Sequence, residues 1–143
     1  MKLRPCLLLL SFLLAASLLT GCGLFASNPP AVGAVTLTDK VDASTKAPLT
    51  SLTKFPKESK LMYVSARVEN ARKGTRVEAR WYYDKEGNGQ YGVVDTATVT
   101  FDVQGDRYVA FSLAAATTFP TGKYKVEIYL DDKLAKEQPF TAD

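Results

Sequence analysis

Residues 76–84 read RVEARWYYD, and apolar and polar side chains alternate along this stretch. Val77, Ala79 and Trp81 occupy every second position, and charged residues stand between them. A period of two is typical of a β-strand with one face in a core and the other in solvent. Residues 122–130, GKYKVEIYL, repeat the pattern. We therefore predict two half-buried strands whose apolar faces share one core.

The same alternation marks five further segments, at residues 35–41, 62–68, 99–103, 109–113 and 134–141. In the third of these, Val99, Phe101 and Val103 are predicted to point inward. Pro139 in the last segment predicts a position at a sheet edge, because proline cannot donate to a ladder. No segment has a helical period. Seven strands within about 100 residues predict an all-β fold, an antiparallel β-sandwich.

The N-terminus carries a different signal. Lys2 and Arg4 precede residues 7–19, LLLLSFLLAASLL, an apolar run that suits a secretory signal and is shorter than the roughly 20 residues of a membrane-spanning helix. Leu19-Thr20-Gly21-Cys22 follows and resembles the lipobox of bacterial lipoproteins. That resemblance implies cleavage between Gly21 and Cys22 and attachment of lipid to the Cys22 thiol. The alternatives are an ordinary signal peptide and an uncleaved anchor.

These observations divide the chain into a signal peptide at 1–21, a lipidated tether at 22–33 and one β-sandwich at 34–143. The tether contains Asn28-Pro29-Pro30, which favours extended chain. We expect a protein of the cell envelope, facing the periplasm or the exterior. In the lipoproteins that it resembles, Asp after the lipidated Cys favours the inner membrane. Gly23 stands there instead, so the outer membrane is favoured if the cell has one.

Composition excludes several function classes. The 143 residues contain no histidine, so a catalytic triad and histidine-based metal sites are excluded. Cys6 and Cys22 are the only cysteines, so no disulfide can staple the predicted sandwich. The net charge of +3 includes Lys2 and Arg4, and 16 basic against 15 acidic residues remain after residue 21. Near-neutral charge gives no reason to expect nucleic-acid binding, and no motif nominates an enzyme.

One tryptophan and one tyrosine carry a family resemblance. Trp81 on the third predicted strand and Tyr124 in GKYKV resemble the core tryptophan and the tyrosine corner of immunoglobulin-like and fibronectin type III-like sandwiches. The phrases KGTRVEARWYY and FPTGKYKVEIYLDDKLAKEQPFT are also similar to immunoglobulin-like domains of bacterial envelope lipoproteins, mostly of unassigned function. The resemblance covers about residues 34–143. It implies that Trp81 packs between the sheets and that the Tyr124 hydroxyl bonds to the corner backbone.

Residues 84–95, DKEGNGQYGVVD, have the oxygen spacing of a calcium loop. Its candidate ligands are Asp84, Glu86, Asn88 and Asp95. Glu86 and Asp95 depart from the usual residue types at their positions, and the flanks read as strands. The alternative is a hydrophilic β-loop in which glycines supply positive φ. No other cofactor is expected.

The polar positions of two predicted strands make a candidate binding face. In the implied topology the third and sixth strands are neighbours, which places Arg80, Tyr82, Lys125, Glu127 and Tyr129 on one surface. Tyrosine and arginine are common anchors of protein interfaces. The alternative is a solvated face whose charges pair across strands with little gain. We expect a non-catalytic, membrane-anchored module that binds an envelope protein; the alternative is a small-ligand or calcium-dependent binding protein using the 84–95 loop.

Overall fold

Two antiparallel sheets stack face to face in the computed structural model, which describes residues 27–143. The strands are β1 (Ala31–Thr38), β2 (Lys54–Phe55), β3 (Leu61–Ala71), β4 (Arg76–Asp84), β5 (Gly92–Thr100), β6 (Gly105–Ala114), β7 (Gly122–Leu130) and β8 (Lys133–Ala142). One sheet has the order β1-β3-β6 and the other β2-β8-β7-β4-β5. Only the short β2 pairs in parallel, with β8. The predicted all-β sandwich is confirmed.

The core lies between the sheets and is rich in aromatic rings. Trp81 is fully buried, and its ring meets that of Phe140 edge to face at 6.0 Å. Phe140 also stacks on Tyr124, with ring centroids 5.3 Å apart, and contacts Phe55. Such pairs add about 0.5–1.5 kcal/mol each beyond the area that they bury. The apolar positions of β4 and β7 therefore form the centre of the core, as their alternation predicts.

Two turns position the strands that carry the candidate face. Asp131 and Asp132 both have positive φ, 46° and 68°, which is the two-residue geometry that joins β7 to β8 as a tight hairpin. At the other end of β7, the Tyr124 hydroxyl donates to the Pro120 carbonyl at 2.7 Å. This hydrogen bond is the tyrosine-corner contact that the resemblance implies. Burial raises the pKa of Tyr124 to about 12.

Pro139 lies at an edge that is largely free. Its strand, β8, pairs with β7 along most of its length, whereas β2 covers only Thr141 and Ala142. β2 itself lies between the strands predicted at 35–41 and 62–68, where the alternation indicates no strand. Two residues are too few for alternation to reveal a strand.

The strand predicted over 99–103 is wrong in its position. β5 instead spans Gly92–Thr100, and Phe101 is buried just beyond its end. Val99 and Val103 are 37% and 43% exposed rather than inward in the core. The physical reason is that β5 is an edge strand with little of the opposite sheet beneath it, so alternation of its residues does not report burial.

The predicted tether, residues 22–33, extends too far at its C-terminal boundary. β1 begins at Ala31, before the predicted boundary at 34, and Ala31 and Val32 pair with Glu69 and Val68 of β3. Small side chains conceal this strand from the sequence pattern. The lipobox residues, including Gly21 and Cys22, lie outside the described residues. Within residues 27–143 no helix is long and apolar enough to cross a membrane.

Candidate functional site

The candidate face is built by the pairing of β4 with β7. The register sets Arg80 opposite Glu127, Tyr82 opposite Lys125 and Glu78 opposite Tyr129. Directly opposed residues of antiparallel strands lie on the same face of a sheet. The structure therefore brings the five predicted residues together on the outer surface of the five-stranded sheet. We call Glu78, Arg80, Tyr82, Lys125, Glu127 and Tyr129 the charged face.

Glu127 is the centre of one half of the charged face. Its carboxylate accepts hydrogen bonds from the Tyr82 hydroxyl at 2.8 Å, the Tyr129 hydroxyl at 2.7 Å and the Lys125 Nζ at 2.8 Å. The residue is only 8% exposed. Burial on its own raises the pKa of Glu127, but these three donors outweigh it and hold the pKa below its usual range. The carboxylate is therefore ionised at neutral pH and fixed by its neighbours.

The same contacts shift the neighbouring groups. Desolvation, and then the bond to the Glu127 carboxylate, raise the pKa of Tyr82 to about 12. Hydrogen bonds to Glu127 and then to Glu137 raise the pKa of Lys125. Lys125 reaches Glu137 at 2.9 Å, and its Nζ lies 5.0 Å from the centre of the Tyr82 ring. Tyr82 is a neutral donor and Lys125 a cation across the physiological range.

Glu78 organises the other half and is absent from the predicted site residues. Its carboxylate accepts from Arg76 at 2.7 Å and from Nε of Arg80, and the Glu78 residue is 7% exposed. The hydrogen bond from Arg80 is the largest of the effects that lower the pKa of Glu78. Arg80 in turn lies over the Tyr129 ring at 4.0 Å, which joins the two halves. The spacing Arg-x-Glu-x-Arg at 76–80, on one strand face, is the signal that identifies this cluster.

The charged face combines an ion pair across strands, between Lys125 and Glu137, with ion pairs along a single strand. Glu78 pairs with arginines two positions away on its own strand, and Glu127 does the same with Lys125. Between β4 and β7, the Tyr82 hydroxyl donates to the Glu127 carboxylate. The Arg80 and Lys125 side chains also lie over tyrosine rings of the opposite strand. Each carboxylate is thus shared by several donors, and the face is a connected network rather than a set of separate exposed pairs.

The 84–95 loop does not gather its predicted calcium ligands. The Asp84 carboxylate is buried and accepts the backbone N–H groups of Asn88 at 3.1 Å and Gly89 at 2.8 Å. The Asn88 side chain accepts from the backbone of Gln90, and Asp95 lies within β5. Within residues 27–143 no three acidic side chains come close enough to hold a metal ion. The arrangement is that of a side-chain-capped β-loop, with Gly87 and Gly89 at positive φ.

A small apolar cavity lies between the sheets at the end of the sandwich next to this loop. It measures about 230 Å³, and its lining includes Tyr83, Val94, Leu113, Phe119 and Tyr124. Tyr83 stacks on Tyr124 at 4.6 Å and donates to the Thr121 carbonyl at 3.1 Å. Aromatic and aliphatic walls suit an apolar group, but drug-sized ligands occupy pockets of roughly 300–1,000 Å³.

Comparison with known proteins identifies the fold. No protein-family model and no curated protein sequence matches the chain. Among solved structures, it is similar to an immunoglobulin-like protein from Pseudomonas aeruginosa, at 14% identity and a TM-score of 0.51, over 82% of this chain and 99% of that one. The sandwich is thus immunoglobulin-like.

Two enzymes also contain similar regions. An alkylpurine DNA glycosylase from Pseudomonas fluorescens matches 79% of this chain with 30% of its own, at 10% identity and a TM-score of 0.47. A β-D-glucoside glucohydrolase from Trichoderma reesei matches 80% with 19% of its own, at 8% identity and a TM-score of 0.46. This chain spans less than a third of either enzyme.

Proposed function

We propose that this chain is a non-catalytic lipoprotein of the cell envelope whose charged face binds a protein partner. Lipid on Cys22 holds it on a membrane, the outer membrane where one exists, and the sandwich faces the periplasm or the exterior. The support for the anchor is the lipobox-like Leu19-Thr20-Gly21-Cys22 behind an apolar run. Two or more acyl chains make such an anchor stable.

The observation that carries the binding role is the fixed geometry of the charged face. Tyr82, Tyr129 and Arg80 are held by Glu78 and Glu127, two carboxylates that are 7% and 8% exposed. Ordering an interface side chain on binding costs about 0.5–1.5 kcal/mol, and side chains that are already ordered avoid part of that cost. Tyrosine and arginine are also enriched among residues that dominate binding energy. The face therefore suits a polar, aromatic-rich protein surface.

A small-ligand role is the second candidate, favoured by the apolar cavity at Tyr83 and Tyr124. Its volume of about 230 Å³ is below the range of typical ligand sites. Because backbone N–H groups occupy the Asp84 carboxylate, the cavity rather than the 84–95 calcium loop carries this candidate. Protein binding at the charged face is accordingly the first proposal.

The test is cross-linking of the native lipoprotein in intact cells, followed by affinity purification and mass spectrometry. The variant is Arg80→Ala with Tyr129→Ala, which removes two partly exposed anchors and leaves both carboxylates with other donors. We expect one recurrent envelope protein that is recovered with wild type and reduced at least tenfold with the variant.

A matched control lies on the outer face of the three-stranded sheet. Arg67 and Tyr108 are register partners there, so Arg67→Ala with Tyr108→Ala removes the same residue types from the opposite surface. This control should retain the partner. Equal recovery with both double variants, or no recurrent protein with wild type, would contradict a binding role for the charged face.

A further inference from the structure

β5 is an edge strand that the sandwich leaves uncovered. Eight of its nine residues are exposed, and it pairs only with β4. Seven large apolar side chains of residues 27–143 are exposed, and four of them lie on β5 or the turn after it: Val93, Val94, Val99 and Val103. Apolar side chains concentrated on one edge mark an interaction surface more often than scattered ones do.

The backbone N–H and C=O groups of β5 that face away from β4 belong to its threonines. The Thr96 N–H is bound by the neighbouring Asp95 carboxylate at 2.8 Å rather than by β4. Because backbone groups alternate in direction along a strand, those of Thr98 and Thr100 also face away from β4. β5 contains no lysine and no proline, and the two features that do protect its edge, the charged Asp95 and the register shift at Val94, lie in its first half. The second half of the edge, residues 97–100, is thus open to another strand, and pairing at Thr96 exchanges its hydrogen bond to Asp95 for one to that strand.

We infer that β5 pairs with β5 of a second copy of this chain, antiparallel and centred on Thr98. This register sets Thr96 opposite Thr100 of the second copy and Thr98 opposite Thr98. The three threonines share the face of β4 that carries Arg80, Glu78 and Arg76, their register partners. Opposed residues therefore lie on the same face of the joined sheet, as antiparallel pairing requires, and threonine pairs are favourable there.

Charge and apolar surface favour this register over its neighbours. Centring on Ala97 would press the Asp95 carboxylate against Val99, and centring on Thr96 would place Val94, at the register shift between β4 and β5, opposite Thr98. Centring on Thr98 moves Asp95 past the strand end and pairs Val99 with Ala97. It also brings Val93 towards the turn that holds Val103. The edge is complementary to itself, which identifies a second copy as its occupant.

The position of the centre also relates the N-terminal ends of the described residues in the two copies. Thr100 lies opposite Arg76, at the end of the sandwich where Arg72 binds Ser27 at 2.8 Å. A symmetry axis through Thr98 therefore lies near the N-terminal end of both copies. The pairing itself depends on neither the anchor nor the charged face.

Cysteine cross-linking in intact cells tests the register with the full chain. Opposed residues that exchange both hydrogen bonds have Cα atoms about 5.5 Å apart, within the 4.4–6.8 Å range of disulfides. Thr98→Cys should therefore form a covalent dimer on mild oxidation. Thr96→Cys is the matched control, because four residues of strand separate the two copies of this position by about 14 Å. Wild type reports any background from Cys6 and Cys22.

Each outcome decides the inference. A dimer from Thr98→Cys, none from Thr96→Cys alone, and a dimer when Thr96→Cys and Thr100→Cys are co-expressed establish the register. A Thr98→Cys protein that labels with a maleimide but stays monomeric overturns it, as does equal cross-linking at 96 and 98.

Sedimentation in detergent gives an independent measure: wild type should form a dimer, and Thr98→Lys, an exposed change, should be monomeric. Identical mass for both proteins overturns the inference. Loss of the partner at the charged face would leave all of these results unchanged.

Discussion

Replacing Glu127 with glutamine removes the charge at the centre of the charged face while keeping the side-chain shape. The wild-type carboxylate accepts three hydrogen bonds of 2.7–2.8 Å from Tyr82, Tyr129 and Lys125. Glutamine offers one carbonyl oxygen and an NH₂ group that cannot accept. A hydrogen bond to a charged group contributes about 1.5–3 kcal/mol. Because donors that lose the carboxylate can hydrogen-bond to water instead, we expect a net loss of about 1.5–3 kcal/mol in unfolding free energy at pH 7.

The loss should depend on pH in a defined direction. The native pKa of Glu127 lies below its unfolded value of 4.5, so the ionised carboxylate stabilises the fold fully above that value. This contribution disappears as the pH falls through the native pKa. Urea unfolding of wild type and Glu127→Gln at pH 7, 5, 4 and 3 should therefore show a gap that narrows below pH 4.5. A gap that is constant or widens with acid would refute the reasoning.

A matched control separates this effect from the general loss of a carboxylate. Glu137→Gln removes an acid that has a half-exposed side chain and contacts the same Lys125 at 2.9 Å. Exposed pairs contribute about 0–1 kcal/mol, so this variant should unfold close to wild type. An equal loss in both variants would show that Glu127 has no special position in the network.

Four further outcomes follow from the described contacts and the lipobox resemblance. Trp81→Leu should lose about 2–4 kcal/mol of unfolding free energy in urea titrations, since the fully buried ring leaves a cavity; a loss under 1 kcal/mol would contradict its central place. Tyr124→Phe should lose about 1 kcal/mol by the same assay, because the Pro120 carbonyl loses its donor. Millimolar calcium should leave the melting temperature unchanged, since backbone N–H groups occupy the Asp84 carboxylate; a rise would restore the calcium hypothesis. Cys22→Ser should abolish processing and lipid labelling, and a processed, membrane-bound variant would argue against lipidation.

Sequence patterns predict the parts of this fold in which each strand faces one core and one solvent layer. The alternation in β4 and β7 places Trp81 and Tyr124 inside and Arg80 and Tyr129 outside, because both strands are central in their sheet. The hairpin at Asp131-Asp132 follows from the same local chemistry, since few residues other than Asp, Asn and Gly accept two consecutive positive φ values.

The remaining parts depend on tertiary context. One face of β5 is polar and the other is largely apolar, but both are exposed. Alternation therefore does not report burial there, and it predicts a strand at 99–103 instead of Gly92–Thr100. β2 and the start of β1 exist through pairing with β8 and β3, which no local pattern encodes. The Arg-x-Glu-x-Arg spacing places Glu78 and its two arginines on one strand face, but the convergence of both arginines on the Glu78 carboxylate depends on side-chain packing.

The most direct test of the central claim is site-specific photo-cross-linking in living cells. A benzophenone amino acid replaces Tyr129 on the charged face or, as the control, Tyr108 on the opposite sheet. Both tyrosines are partly exposed, and the probe keeps an aromatic ring at each position. The account predicts a discrete adduct with one envelope protein from position 129 and none from 108. Adducts from 108 alone, or none from either position, would contradict it.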